Sequence, residues 1–258
     1  MNVINKINTP IISIITSTLN CASALKLTIT SITKIKSEFV ELIIIDGASS
    51  DSTLDVILEN KKFIDYWISE TDTGIYDAWN KGLKLARGKW IMFLGAGDLI
   101  VEESYLKIIS SLKRDVDVYE NIDFISGKNI LYKNNKNIRT IGGPWNWSML
   151  RKYMSIAHPG ALHRSSLFTK YGMFDTNFKI AGDYEFLLRI GSKLNALYLT
   201  DILVRMEYGG ASNSSKVFIE NLMAKKKNHI NHILFDLAYS LYEICKYIFR
   251  KYYDGIVN

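Results

Sequence analysis

Glu70-Thr-Asp72-Thr-Gly74-Ile-Tyr76-Asp77-Ala-Trp-Asn80-Lys81-Gly82, then Leu-Lys-Leu-Ala-Arg-Gly88, then Lys-Trp90-Ile-Met-Phe-Leu94-Gly-Ala-Gly97-Asp98, is the stretch around which the chain can be arranged. Ile75, Ala78, Trp79, Leu83 and Ala86 recur near helical spacing, and Gly88 stands where a helix C-cap glycine is expected. Residues 90–94 are an apolar run of strand length. Gly95, Ala96 and Gly97 let the backbone approach a ligand and deliver Asp98 to the carboxyl end of that strand. Open α/β sheets bind their ligands at that edge. A hard carboxylate there suits a divalent cation carrying a diphosphate.

The same residues resemble the Asp-x-Gly-Ile-Tyr-Asp-Ala-x-Asn-Lys-Gly signature of family 2 glycosyltransferases with the GT-A fold, followed by that family's acidic metal-binding turn. The match is long and ungapped, and the resemblance continues more weakly through most of the chain. It implies an α/β fold of the GT-A type, with a mostly parallel central sheet, flanking helices and a helical C-terminal extension. The implied organisation is a glycosyltransferase domain over 1–215, with a nucleotide-binding half at 10–100 and an acceptor half at 101–215, then a basic helical extension at 216–258. The implied activity is inverting transfer of a hexose or N-acetylhexosamine from a UDP-sugar to a glycan acceptor, with Mn²⁺ or Mg²⁺ as cofactor. The family's usual work in bacterial surface polysaccharides, O-antigen or capsule, implies a polyprenyl-diphosphate-linked acceptor.

With 258 residues, 48% of them hydrophobic, the chain can bury a full core as one large domain or as a domain and a subdomain. No uninterrupted apolar run reaches the length of a membrane span, and residues 1–10 lack the apolar core of a signal peptide. Cys21 and Cys245 have no motif spacing, which fits a reducing compartment. The net charge of +6 points toward phosphate-bearing ligands, anionic lipid or nucleic acid. Nothing resembles a nucleic-acid-binding module, so lipid or phosphate is preferred. The expected location is cytoplasmic, peripheral on the inner face of the plasma membrane.

Taken in order, residues 10–18 are a β-branched run read as a first buried strand. Ser23 is the expected N-cap of a helix lined by Leu25, Ile29 and Ile32. Residues 41–45 make a second strand ending in Asp46-Gly47-Ala-Ser-Ser50-Asp51-Ser52, a turn and helix start with Ser50 or Asp51 as cap. Residues 66–69 are a third strand. Such alternation argues for a parallel sheet with right-handed crossovers. A dinucleotide-binding Rossmann fold shares the rhythm, but its glycine fingerprint is absent after the first strand. Sugar nucleotidylyltransferases, one alternative class, have a glycine-rich first loop without counterpart in residues 16–24. A non-catalytic nucleotide-sugar-binding scaffold is the other alternative.

Beyond Asp98, residues 102–113 read as an amphipathic helix, 124–132 and 137–141 as a hairpin, 145–153 as a Trp-rich helix, and 203–206 as a strand. The block running from His158-Pro-Gly160 through Gly172-Met-Phe174-Asp175 to Gly182-Asp183-Tyr184-Glu185 resembles the acceptor half of the same glycosyltransferases. Tyr208-Gly-Gly-Ala-Ser212 resembles their loop that closes over the diphosphate. The tail combines Lys225-Lys-Lys227 with a later apolar run interleaved with Lys246, Arg250 and Lys251. Such a helix could lie on an anionic membrane, pack on the core, or pair two copies as a homodimer.

Sugar transfer needs a pocket for base and ribose, a cation for the departing diphosphate and, for inversion, a base for the acceptor hydroxyl. The resemblance makes Asp46 an acceptor for the uracil N–H; without it, the residue reads first as a turn former or helix cap. Thr16, Ser17, Leu19 and Asn20 lead from the first strand toward the base, with Leu19 where the family often has a stacking aromatic. Asp72, Gly74 and Tyr76 flank a helix start suited to diphosphate or ribose, with Gly97 beside it. Lys81 reads equally as a phosphate ligand or a solvated surface lysine. Asp98 is the metal ligand, the one carboxylate kept of the family's usual two or three; phosphate oxygens and waters would complete the shell. Asp183 matches the family's catalytic base and is also a plausible helix N-cap. His158, Glu185 and Ser212 are assigned to the acceptor and phosphate side, Glu185 more weakly because it faces elsewhere on the helix. His229 and His232 have helical spacing without acidic partners and are not read as a zinc site.

Overall fold

The computed structural model describes residues 9–133, 136–210, 214 and 216–230, together with the single positions 238 and 245. Strand β1 (Ile12–Thr18), helix α1 (Ala22–Thr33), β2 (Val40–Asp46), α2 (Thr53–Glu59), β3 (Tyr66–Ser69), α3 (Ile75–Leu85) and β4 (Trp90–Gly95) follow one another as the alternation predicts. These strands lie side by side as β3-β2-β1-β4, all parallel. β1 and β2 are buried along their whole length, as strands of a parallel sheet covered on both faces must be.

The second half is built differently. It comprises β5 (Leu99–Ile100), α4 (Glu102–Arg114), β6 (Phe124–Lys133), β7 (Lys136–Ile141), α5 (Trp147–Leu150), β8 (Leu162–Arg164), α6 (Ser165–Tyr171), α7 (Gly182–Ile190), β9 (Ala196–Glu207) and α8 (Lys216–Lys227). β8 is antiparallel to both β4 and β6, β9 is parallel to β6, and β5 is antiparallel to β9. The sheet therefore runs β3-β2-β1-β4-β8-β6-β9-β5, with β7 paired to β6. Parallel pairing holds throughout the first half and gives way to mixed pairing in the second. Only Ala96, Gly97 and Asp98 separate β4 from β5, yet β5 pairs at the far end of the strand order. The sheet must curl to allow this, which brings the end of β9 back over the acidic turn.

Period-2 alternation divides the core between two faces. Ile12, Ile14, Leu42, Ile44, Met92 and Leu94 pack with α1, α2 and α4. Ile15, Ile43, Ile45, Ile91 and Phe93 pack with α3, α6 and α7. Residue Ala224 of α8 joins this second core, so the first part of the expected extension packs against the sheet domain.

Several local expectations change in the fold. Ser23 does not cap α1. The N–H groups of Cys21 and Ala22 donate instead to Thr53 Oγ1 (3.0 Å) and Asp51 Oδ2 (3.3 Å), so the neighbouring turn supplies the acceptors. Gly88 is not a C-cap, because α3 ends at Leu85 with Ala86 in extended geometry. It is required by packing: its N–H donates to Ser13 Oγ at 2.7 Å, and an added Cβ would collide with the Ser13 backbone. The Trp-rich helix contracts to the single turn of α5, capped by Asn146. The strand expected at 203–206 is the end of the longer β9.

Candidate active site

The acidic turn is held from behind by α1. Thr28 Oγ1 accepts the Gly97 N–H at 2.8 Å and lies 3.0 Å from the Asp98 carbonyl, to which it donates. Gly97 has φ +104°, a conformation that favours glycine. Asp98 Oδ2 accepts the Gly95 N–H at 2.9 Å, while its other oxygen has no hydrogen-bond partner among the described residues. Burial pushes this carboxyl up to about 7, against the lowering effect of the Gly95 N–H. No group of three or more His, Cys, Asp or Glu side chains converges on a metal position among the described residues. A free oxygen on a cavity-facing carboxylate fits a cation that draws its remaining ligands from phosphate and water.

Asp183 opens α7 and faces the same space. Its Oδ1 accepts the Tyr184 N–H at 2.8 Å and the Tyr76 O–H at 3.0 Å, and the same phenol lies 2.7 Å from the Ile180 carbonyl. Burial raises the Asp183 carboxyl to about 6, and these donors hold it below where burial alone would leave it. His158 Nδ1 stands 3.9 Å from Asp183 Oδ2. Burial lowers this imidazole to about 3, so it is neutral and the approach is not an ion pair. Its ring packs against both Trp79 and Phe93, which also touch each other, and neither nitrogen has a partner among the described residues. A neutral ring of this kind can share one hydrogen bond with a ligand, without the charge pairing that phosphate would draw from an imidazolium.

A cavity of about 560 Å³ joins the two carboxylates, lined by Asp98, Asp183, Tyr76 and His158 among others. Sequence reasoning missed three further polar contributors, Arg139 from β7, Lys179 before α7, and Glu207 at the end of β9. No local motif marks them, because they reach the cavity through the hairpin and the curl of the sheet.

The expected nucleoside-side residues gather at the ends of β1 and β2. Asp46 is fully buried, and its carboxylate already accepts from Ser49 Oγ (2.5 Å), Ser49 N (3.0 Å) and Ser69 Oγ (2.6 Å). It therefore organises the turn, and only its remaining lone-pair capacity is open to a base. Ser17 and Thr16 are buried beside it, with Thr16 Oγ1 unpartnered among the described residues. Asn20, at φ +49°, accepts from Ser50 N at 2.8 Å and stitches the β1 and β2 turns together. Leu19 is 55% exposed and approaches Gly47 beside Asp72. Asp72 accepts the Gly74 N–H at 2.8 Å, shaping the entry to α3.

Lys81 is engaged within the fold, donating to the Thr71 carbonyl (2.7 Å) and pairing with Glu70 (2.9 Å). Glu185 does not face the cavity: it is fully buried and paired with Arg189 (2.7 Å) and Lys227 (3.1 Å). Ser212 lies outside the described residues. The Lys225-Lys-Lys227 run is only partly a surface feature, since Lys225 is buried and donates to the Lys152 carbonyl, and Lys227 serves Glu185 and Asp175. A buried glutamate needs a cation, and Arg189 of α7 and Lys227 of α8 both supply one.

Comparison with known proteins follows this geometry. A family model described as glycosyl transferase family 2 matches residues 13–183. The PGL/p-HBAD biosynthesis glycosyltransferase of Mycobacterium bovis (strain BCG / Pasteur 1173P2) is 31% identical over 224 residues, covering 83% of this chain and 84% of that protein. An uncharacterized glycosyltransferase of Mycobacterium tuberculosis (strain ATCC 25618 / H37Rv) is 28% identical over 210 residues, covering 79% and 78%. Among solved structures, S. aureus TarS 1-349 in complex with UDP-GlcNAc has a TM-score of 0.66 at 16% identity, covering 89% of this chain and 71% of that one. Mannosyltransferase PcManGT from Pyrobaculum calidifontis, in complex with GDP-Man and Mn²⁺, has a TM-score of 0.59 at 15% identity, covering 90% and 64%. These likenesses establish the GT-A fold.

Proposed function

Because this chain belongs to glycosyl transferase family 2, we propose that it is an inverting enzyme that moves a hexose or N-acetylhexosamine from a UDP-sugar to a glycan hydroxyl. The observation that carries this reading is the single cavity into which both Asp98 and Asp183 open. Their environments divide the work. Asp98 offers a free oxygen at the carboxyl edge of the sheet, where a Mn²⁺ or Mg²⁺ bound with the donor would offset the charge of the departing diphosphate. Asp183, with its carboxyl raised to about 6, is ionised at neutral pH yet basic enough to take the acceptor's proton. Tyr76 steadies that carboxylate with its phenol. UDP is favoured over GDP because TarS, the neighbour with the higher TM-score of the two, was solved with UDP-GlcNAc.

A lipid-linked acceptor and peripheral membrane contact belong to the same proposal. Support comes from the net charge of +6 and from Ile219 and Met223, exposed on α8 beside Lys226. No helix among the described residues is long and apolar enough to cross a membrane. Sedimentation with anionic vesicles tests the contact, which is refuted if replacing Ile219 and Met223 with Ser and Lys226 with Glu leaves binding unchanged.

The catalytic reading is tested by release of nucleotide from a panel of nucleotide sugars, with and without Mn²⁺ or Mg²⁺. Wild type should hydrolyse one UDP-sugar slowly, Asp98→Ala should abolish the metal requirement together with turnover, and Asp183→Asn should retain donor binding without turnover. Tight UDP binding by calorimetry with no turnover of any donor, with or without glycan acceptors, would favour a nucleotide-sugar-binding scaffold instead.

A further inference from the structure

We propose that Glu220 on α8 is a positioning residue of the transfer site, fixing the loop that carries Lys179 into the cavity and presents Asp183. The proposal rests on the reading of Asp183 as the base. It also means that the site is completed by a helix beyond the family-matched region, which ends at Asp183.

Glu220 Oε2 accepts three consecutive main-chain N–H groups, from Lys179 (3.0 Å), Ile180 (2.8 Å) and Ala181 (2.8 Å), and Oε1 takes the Lys179 N–H at 3.1 Å. Successive N–H groups converging in this way form a concave anion site, here filled by a side chain of the protein itself. Its position just before α7 adds the favourable end of the helix dipole. Hydrogen bonds to an ionised acceptor are the stronger class, so three on one carboxylate make a firm anchor.

The loop is held from its other side as well. The Tyr76 phenol contacts the Ile180 carbonyl and Asp183, and Lys179 Nζ donates to the carbonyls of Thr73 (2.6 Å) and Thr176 (2.8 Å). Residues 179–183 are thus clamped between the α3 side and α8. α8 itself is kept in place by Ala224 in the core and by the Lys227 pairs with Glu185 and Asp175. Asp98 lies on a different turn, pinned by α1, and is independent of this clamp.

Across the cavity from Asp183 stand Asp98, Arg139, Lys179 and Glu207; the groups that act on it most directly are Tyr76 from α3, the neutral His158, and Glu220 from α8. Glu220 is the one among them whose negative charge opposes ionisation of the base. Removing that charge while keeping an acceptor oxygen should ease ionisation. Removing the whole side chain should free the loop.

The test compares wild type, Glu220→Ala, Glu220→Gln and Asp183→Asn in the full chain. Turnover is read as UDP release from the hydrolysed donor, and loop anchorage as hydrogen exchange of the 179–181 amides. In Glu220→Ala those amides should exchange at least about tenfold faster, with α3 protection unchanged, as expected when an anchored loop becomes a locally opening one. Its kcat should fall by about 10- to 100-fold with donor KM unchanged, because the base is displaced and the donor site is not. Glu220→Gln should lose less and should move the acid limb of the pH profile to lower pH. Unchanged exchange in Glu220→Ala overturns the proposal, as does faster exchange with unchanged kcat and pH profile. Loss of α3 protection and donor affinity together would show general destabilisation and overturn it too. An Asp183→Asn enzyme as active as wild type would refute the base assignment itself, a failure visible separately from the behaviour of Glu220.

Discussion

Tyr76→Phe isolates one hydrogen bond at the proposed base without changing the ring. The phenol lies 3.0 Å from Asp183 Oδ1 and 2.7 Å from the Ile180 carbonyl, and its single proton is shared between them. A hydrogen bond to a charged group contributes about 1.5–3 kcal/mol, and sharing places this one near the low end. At about 1.4 kcal/mol per pKa unit, its loss should raise the Asp183 carboxyl by about one unit. At saturating Mn²⁺, so that ionisation of Asp98 does not limit, wild type with the group at about 6 should show its acid limb there. The variant's limb should sit roughly one unit higher, so that kcat/KM falls about fivefold at pH 6 and hardly at all at pH 8.5. The assay is donor hydrolysis across pH 5–9 with donor KM followed in parallel. A limb that stays in place, or a loss of equal size at every pH, would refute the reasoning, since the second pattern signals lost geometry alone.

Three further outcomes are expected. Because burial holds the Asp98 carboxyl up at about 7, a cation must displace a proton below that pH, and apparent Mn²⁺ affinity by calorimetry with UDP should fall about tenfold per pH unit there and flatten above it. The sign reverses for the metal-free fold, where the contribution of Asp98 to stability should fall as pH rises from the ordinary carboxylate range through 7; because the buried neutral His158 works in the opposite direction, the check is the urea midpoint of wild type relative to Asp98→Asn at pH 5 and 8. Gly82→Ala would drive a Cβ well inside contact with Ile15 Cγ2, which is fixed in β1. Overpacking of about 1–3 kcal/mol, partly offset by about 1 kcal/mol of better helix propensity, should lower the urea midpoint, and an unchanged midpoint would show that β1 and α3 can separate locally.

Much of the first half of the fold was legible because its signals are local. β3 matches its expected bounds, and the β-branched runs, the α3 spacing and the glycine turn before Asp98 each depend only on near neighbours in the chain. The second half was less legible, because β8, β6, β9 and β5 are neighbours through long connections and mixed directions that no short pattern specifies. Side-chain roles show the same division. The sequence places Tyr76 near diphosphate or ribose, leaves Lys81 evenly between a phosphate ligand and a surface lysine, and gives Asn80 no role of its own. In the structure Tyr76 reaches Asp183, 107 positions away, and Asn80 exchanges two hydrogen bonds with the Phe174 backbone. Lys81 closes onto Glu70 and Thr71.

Residue type and spacing by themselves determined that the chain makes an α/β fold with a glycine-lined acidic turn that delivers Asp98 to a strand's carboxyl end, and the family resemblance added Asp183 as the candidate base. The tertiary structure decided that both open into one cavity, that Glu185 turns away to pair with Arg189 and Lys227, and that Glu220 anchors the loop before the base. The physical reason is that periodicity records which face of an element is apolar, whereas a polar side chain's partner depends on which distant backbone the curled sheet brings within about 3 Å of it.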